Sequence, residues 1–167
     1  MREAGGNTNS SLTKVTCFPE NRCPVDKYGP ISHPEFEGAV GAACDGFNAK
    51  GKKFWDKSEA HSWAWDIVDR KTTYWFTIGW EEGCTLPNND NPQSQHMIYP
   101  LGKKGHICED IFIKDIFQSC VDKGGRGGHI KAGCLVYALE PCDADDCFNT
   151  RKGPPSMAPN VAPRNGQ

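Results

Sequence analysis

The stretch 61-HSWAWDIVDRKTTYWFTIGW-80 decides the predicted fold, because it has the pattern of two β-strands joined by a tight turn. Large apolar residues alternate with small or polar ones on both sides of Arg70-Lys71, which is the period of a half-buried strand. Centring the turn there pairs Trp65 with Phe76 and puts nearly every large apolar side chain on one face. A shift of one residue would bury a charged side chain, so we predict this register.

Two helices and two further strands flank this hairpin. The predicted elements are a strand over Ser11–Phe18, a helix over His33–Asn48, a helix over Glu109–Lys123 and a last strand over His129–Glu140. The glycine-rich run 124–128 predicts a helix end followed by a turn with positive φ. The order βαββαβ is that of the ferredoxin-like fold, an α+β sandwich with a four-stranded antiparallel sheet and two helices on one face.

Cysteine is used more heavily than in most chains of this length. The nine cysteines are Cys17, Cys23, Cys44, Cys84, Cys108, Cys120, Cys134, Cys142 and Cys147. They contain no C-x-x-C pair, so their spacing favours disulfides across a fold rather than a zinc site. This usage predicts a secreted, extracellular protein with one unpaired cysteine. Nine cysteines leave the connectivity open among about 945 pairings, and a Cys84–Cys108 bridge is the one predicted to tie down the long loop 85–107.

The charge balance and the composition limit the classes of partner that the sequence predicts. The 19 basic and 21 acidic residues nearly balance, so we expect no nucleic-acid partner. No run of 18 apolar residues exists, so we expect no membrane span. Nothing in the spacing predicts a cofactor or a metal site.

The predicted organisation is one domain with two tails. We predict a disordered N-terminal segment over 1–11, a single disulfide-rich domain over 12–147 and a disordered proline-rich tail over 148–167. Asn9 begins an N-x-S triplet, which is a glycosylation sequon and is compatible with secretion.

The predicted binding site lies on the face of the hairpin opposite the core. Trp75 would point to that face beside Thr73 and Thr77, with Asp66 directly across. An aromatic ring beside a carboxylate and hydroxyls is a common way to hold a sugar, which predicts a carbohydrate-binding module for chitin or glucan. The alternative is that the loop 85–107 or a tail covers Trp75, which would make it structural.

A catalytic alternative uses other residues. A small secreted ribonuclease-like hydrolase would need histidines and a carboxylate to converge with a cation on a phosphate. His61, Glu81, Arg126 and His129 would form such a group if one end of the sheet brought them together. No hydrolase motif such as G-x-S-x-G or H-E-x-x-H occurs in the chain.

The chain also resembles a known family through the spacing of its later cysteines and glycines. The matching residues are Cys84, 108-CEDIF-112, 116-IFQSC-120, 124-GGRGG-128, 133-GCLVY-137 and Pro141. This pattern is similar to the cysteine-rich killer-toxin-like region at the C-terminus of large fungal family-18 chitinases and to free-standing secreted effectors. The resemblance implies an α/β sandwich, secretion, no hydrolase activity of its own, and an extracellular host or competitor target. Cell-wall polysaccharide is one candidate for that target.

Overall fold

A computed structural model describes residues 12–18, 33–50, 53–58, 60–67, 72–86, 91–121 and 127–143. The predicted disordered segments 1–11 and 148–167 lie outside the described residues. So do the sequon at Asn9, the cysteines at 23 and 147, and Arg126 of the catalytic alternative.

The described chain is a mixed α+β structure. Its elements are β1 (Thr16–Cys17), α1 (His33–Lys50), β2 (Lys53–Trp55), β3 (His61–Ile67), β4 (Thr72–Trp80), β5 (Ser94–His96), α2 (Cys108–Asp110), a π-helical continuation of α2 (Ile111–Val121), β6 (Gly128–Ala132) and β7 (Leu135–Asp143). Five strands form an antiparallel sheet in the order β1-β6-β7-β4-β3, and β2 pairs with β5 in a separate small sheet. No helix among the described residues is long and apolar enough to cross a membrane.

The four-stranded ferredoxin-like arrangement is not confirmed, although the α+β class is. The predicted last strand is two strands, β6 and β7, which fold back on each other at Gly133-Cys134. Gly133 has a φ of 65°, a conformation that glycine adopts without strain, so it starts a two-residue hairpin loop. The sheet therefore gains a fifth strand, and β1 lies at its edge beside β6.

The β3–β4 hairpin forms, but in a register two residues away from the predicted one. Trp65 lies opposite Tyr74, whereas the predicted turn placed it opposite Phe76. A shift of two residues keeps each side chain on its face, because strand side chains alternate with a period of two. The side chains predicted to face the core therefore do so wherever they are described. Tyr74, Phe76 and Ile78 are all buried.

The main core fills the space between the sheet and the two helices. Phe36 of α1 stacks on Phe117 at a ring-centroid distance of 3.8 Å, and Phe112 meets Phe76 of the sheet edge-on at 5.2 Å. Both helices therefore cover the same face, as predicted. Apolar residues spaced along one face of each predicted helix are all buried, namely Phe36, Val40, Ala43, Cys44, Phe47, Phe112, Ile116, Phe117 and Cys120.

The predicted glycine turn after the second helix is confirmed at Gly127. Its φ is 87°, and a Cβ atom there would lie 2.1 Å from the carbonyl oxygen of Leu139. Only glycine fits this close approach of two backbones.

Three disulfides form among the described residues. They join Cys17 to Cys120, Cys44 to Cys108, and Cys84 to Cys134. Among the described cysteine side chains none is free. The side chain of Cys142, in β7, lies outside the described set.

The predicted Cys84–Cys108 bridge is wrong. Cys108 opens the second helix, whose first turn packs against α1, and its Cα atom lies 6.1 Å from that of Cys44. Cys84 follows β4 and lies beside the β6–β7 turn, where its Cα atom is 5.6 Å from that of Cys134. The prediction assumed that a bridge would close the loop onto itself. Each end of the loop is instead tied to a different neighbour.

We expect the double substitution Cys44→Ala/Cys108→Ala to lower the free energy of unfolding by about 4 kcal/mol, the unfolded-state entropy that a bridge of this separation removes. Denaturant unfolding of the oxidised proteins measures this loss. Peptide mapping without reduction should link Cys84 to Cys134 in both proteins. A linked Cys84–Cys108 peptide in the wild type would contradict this architecture.

Candidate functional site

The predicted site around Trp75 is not an open surface. Trp75 lies on the face opposite Tyr74 and Phe76, as predicted, but its side chain is only 7% exposed. Its neighbour Thr77 is also buried, and its hydroxyl accepts a hydrogen bond from the Ser62 hydroxyl at 3.3 Å. The structure thus favours the alternative in which Trp75 is covered, and an exposed sugar-stacking plate is not present at this position.

The register also separates the predicted site residues. Trp75 pairs with Ala64 on one side and with Glu140 on the other, whereas Asp66 lies across from Thr73. Asp66 is therefore not directly across from Trp75, but two residues further along β3 than the residue that is. The side chains of Asp66 and Thr73 lie outside the described set, so their proposed contacts with a ligand stay a prediction.

We expect Trp75→Ala to destabilise the fold by about 3–5 kcal/mol, because it removes a large buried ring. Trp55→Ala is the matched control, since the Trp55 side chain is 47% exposed and its loss should cost under about 1 kcal/mol. Denaturant unfolding measures both. Equal stability of the two variants would show that Trp75 is not part of the packed structure.

The described residues of the catalytic alternative, His61, Glu81 and His129, do not come together. His61 contacts the ring of Phe54 on β2, and Glu81 accepts a 2.9 Å hydrogen bond from the ammonium of Lys131. His129 lies on β6, three strand spacings from β3, which is about 14 Å. Its cross-strand register also places it on the opposite face of the sheet from His61.

A cleft of about 610 Å³ opens elsewhere, between α1 and the segment that leads into the second helix. Its volume lies within the range of about 300–1,000 Å³ that is usual for small-molecule sites. The residues that line it are Cys44, Asp45, Asn48, His96, Ile98, Tyr99, Gly102, Lys103, Ile107 and Glu109.

Covalent and backbone contacts hold the two walls of this cleft together. The Cys44–Cys108 disulfide joins α1 to the start of the second helix, and the Cys108 amide donates to the carbonyl of Ile98 at 2.9 Å. Asp45 and Asn48 are three residues apart on α1, so they lie on the same face of that helix. The helix therefore presents a carboxylate and an amide to the cleft.

The opposite wall is fixed to the core by the side chain of Gln95, which is 5% exposed. Its amide nitrogen donates to the carbonyls of Pro100 at 3.0 Å and Ala132 at 2.6 Å. Its carbonyl oxygen accepts from the amide of Cys134 at 2.9 Å. One glutamine thus satisfies three buried backbone groups and holds the segment 91–100 against the β6–β7 hairpin.

A second buried contact supports the same segment. The hydroxyl of Tyr137 donates to the carbonyl oxygen of Met97, and both side chains are fully buried. Burial raises the pKa of Tyr137 well above its ordinary value of 10.0, because the charged phenolate would lose its hydration. A raised pKa means that this stabilising contribution is complete below pH 10 and is lost only as the pH rises through the folded-state pKa.

His96 and Gly102 fix the position of Tyr99 in the cleft. The amides of Ile98 and Tyr99 both donate to Nδ1 of His96, at 3.1 and 3.2 Å, so in this arrangement Nδ1 is the unprotonated nitrogen. Gly102 has a φ of 83° and closes the turn with a hydrogen bond from its amide to the Tyr99 carbonyl. The Tyr99 ring is 37% exposed and lies 5.1 Å from that of His96.

The cleft combines apolar surface with groups of both charges. Tyr99 and two isoleucines supply apolar area, while Asp45, Glu109 and Lys103 supply two carboxylates and one ammonium, all on exposed residues. This lining suits a ligand that has both hydroxyl or amide groups and an apolar face. No group of three or more histidine, cysteine, aspartate or glutamate side chains among the described residues is placed to hold a metal ion.

Sequence reasoning chose the face of Trp75, whose side chain is buried, and did not single out the cleft beside Tyr99. The length of the loop 85–107 was the available signal, since loops that long inside small domains are commonly functional or tied down. Nothing in the local sequence distinguishes the buried Gln95 from Gln93, which is exposed two residues earlier.

We expect Gln95→Ala to lower the free energy of unfolding by about 3 kcal/mol, because it leaves buried backbone groups without hydrogen-bond partners. Gln93→Ala is the control, since its side chain makes one exposed hydrogen bond to Asp56 and should cost under about 1 kcal/mol. Thermal unfolding compares the two. A Gln95→Ala protein as stable as Gln93→Ala would refute the anchoring role.

Comparison with known proteins adds no relative, because no protein-family model, curated protein or solved structure matches this chain.

Proposed function

We propose that this protein acts outside the cell that produces it, as a non-enzymatic, disulfide-stabilised binding protein of the fungal effector or killer-toxin-like kind. Its target would be a molecule of a host or of a competitor. The observation that supports this most is the set of three disulfides among the described residues. They join β1 to the second helix, the second helix to α1, and the end of β4 to the β6–β7 turn. Such bridges persist in oxidising compartments and are rare where thiols are kept reduced.

The positions of the bridges support a structural role in a harsh environment. They link residues 103, 64 and 50 positions apart, so each closes a long loop of the unfolded chain. Cys108 and Cys134 are completely buried, which shields their sulfurs from reductants and from thiol exchange. These features support the proposed location outside the cell.

The resemblance to killer-toxin-like modules is consistent with these bridges. Cys84, Cys108, Cys120 and Cys134 belong to the matching pattern, and each of them forms a bridge in the described structure. The target-binding surface that we propose is the cleft beside Tyr99, because it is open to solvent while Trp75 is not. Carbohydrate binding, the second candidate function, is favoured by the same cleft.

Binding of the labelled, oxidised protein to intact plant cells and to cells of competing fungi tests this proposal. We expect saturable binding to the surface of one cell type, lost when the disulfides are reduced and alkylated. Lys104→Ala, at an exposed residue that does not line the cleft, should bind as the wild type does. Absence of surface binding to both cell types, or reduced cysteines in protein isolated from its natural producer, would overturn the proposal.

A further inference from the structure

We propose that the cleft beside Tyr99 binds an uncharged oligosaccharide, and that Trp55 extends this site along the β2–β5 sheet. This inference rests on the proposed function, in which the protein binds a target outside the cell, and it names the ligand class for that binding. It also moves the sugar site away from the buried Trp75.

The first support is the location of the exposed aromatic side chains. Within the part of the chain that is described, the large apolar side chains exposed to solvent are Trp55 at 47% and Tyr99 at 37%. Trp55 is the last residue of β2, and Tyr99 follows β5, the strand that pairs with β2. Exposed aromatic residues that cluster on one small element mark a binding surface more often than scattered ones do.

The register of the small sheet puts both rings along one path. Lys53 pairs with His96 and Trp55 pairs with Ser94, so Trp55 and His96 project from the same face. Phe54 points to the other face, where it is fully buried. His96 is the diagonal neighbour of Trp55 on the paired strand, and the His96 ring lies 5.1 Å from the Tyr99 ring. The exposed rings of Trp55 and Tyr99 are therefore on the order of 10 Å apart.

Local hydrogen bonds fix Trp55 in place. Its amide donates to the hydroxyl of Ser58 at 3.2 Å, and the Ser58 amide donates back to its carbonyl at 2.9 Å. Next to it, the side chain of Gln93 donates to the carboxylate of Asp56 at 2.8 Å. These contacts hold the backbone that carries the Trp55 ring, so that backbone loses little conformational freedom when a ligand stacks on the ring.

A sugar ring matches the chemistry of this path. Its C–H face packs on an aromatic ring, and its hydroxyls donate to carboxylates and exchange hydrogen bonds with amides. Tyr99 supplies the ring within the cleft, while Asp45 and Asn48 supply an acceptor and an amide from α1. Trp55 would stack on a later ring of the same chain, about two sugar units along.

The charges around the path favour an uncharged ligand over an acidic one. Lysines at 53, 57, 103 and 104 are exposed near it, but they are interleaved with Asp45, Asp56 and Glu109. An acidic polymer would meet these carboxylates as well as the lysines. An uncharged sugar gains little from long-range attraction to charged residues, so salt should change its binding affinity little.

Calorimetric titration of the oxidised protein with chitin, β-glucan and cellulose hexasaccharides tests the proposal, with polygalacturonate as the acidic probe. We expect saturable binding of at least one neutral hexasaccharide, with an affinity that changes less than twofold between low and high salt.

Tyr99→Ala should weaken the affinity for that hexasaccharide at least tenfold, whereas Tyr99→Phe, which keeps the ring, should weaken it less than threefold. Trp55→Ala should weaken hexasaccharide binding but leave binding of the disaccharide unchanged. Asp45→Asn should weaken both.

Lys104→Ala is the surface control and should bind as the wild type does, and each variant must keep the wild-type melting temperature within a few degrees. The proposal is overturned if no neutral hexasaccharide binds, if Tyr99→Ala and Trp55→Ala bind as the wild type does, or if only polygalacturonate binds and salt abolishes it. Binding to whole cells that persists in Tyr99→Ala would reject the sugar site while leaving the proposed extracellular function intact.

Discussion

The structure depends on the two-residue turn Gly133-Cys134, because contacts from two distant segments, the end of β4 with the residues after it and the segment 91–100, meet there. The amide of Cys134 donates to the buried Gln95 side chain, and its carbonyl accepts from the amide of Glu81 at the end of β4. Its sulfur is bonded to Cys84. The turn thus creates the β6–β7 hairpin, ties down the end of β4 and supplies the buried groups that hold the segment 91–100. Without it β6 and β7 could not fold back on each other as neighbouring strands.

The cleft is a consequence of that anchoring. The segment after β5 is fixed at Gln95 by hydrogen bonds and at Cys108 by a disulfide to α1, so the residues between these two points must bridge from the hairpin to the helix. The turn at Gly102 and the backbone hydrogen bonds to His96 then place the Tyr99 ring at the edge of the resulting gap. A cleft wall built this way is rigid although it lies on a loop, because each end of the loop is held by buried or covalent contacts.

Sequence patterns predicted the elements better than their connections. The apolar stripe of α1 and the inward face of the second helix were readable from periodicity, because burial of one helix face requires it. The turn at Gly133-Cys134 was missed because a single glycine inside a run of β-forming residues also fits one continuous strand. The bridges and the role of Gln95 could not be predicted, since both depend on which segments meet in space. The burial of Trp75 could not be predicted for the same reason. The alternation of side chains along a strand shows which face a residue lies on, but it does not show which segment covers that face.

The central claim is that the turn and the segment 91–108 form one rigid unit in the oxidised protein. Amide hydrogen exchange measures this directly at Ile98, Cys108 and Cys134, whose amides donate to His96, Ile98 and Gln95 respectively. We predict that all three are protected in the oxidised protein, and that Gln95→Ala removes protection from Cys134 while the core of the second helix stays protected. Exchange of these amides at the rate of an unstructured loop in the oxidised wild type would contradict the account.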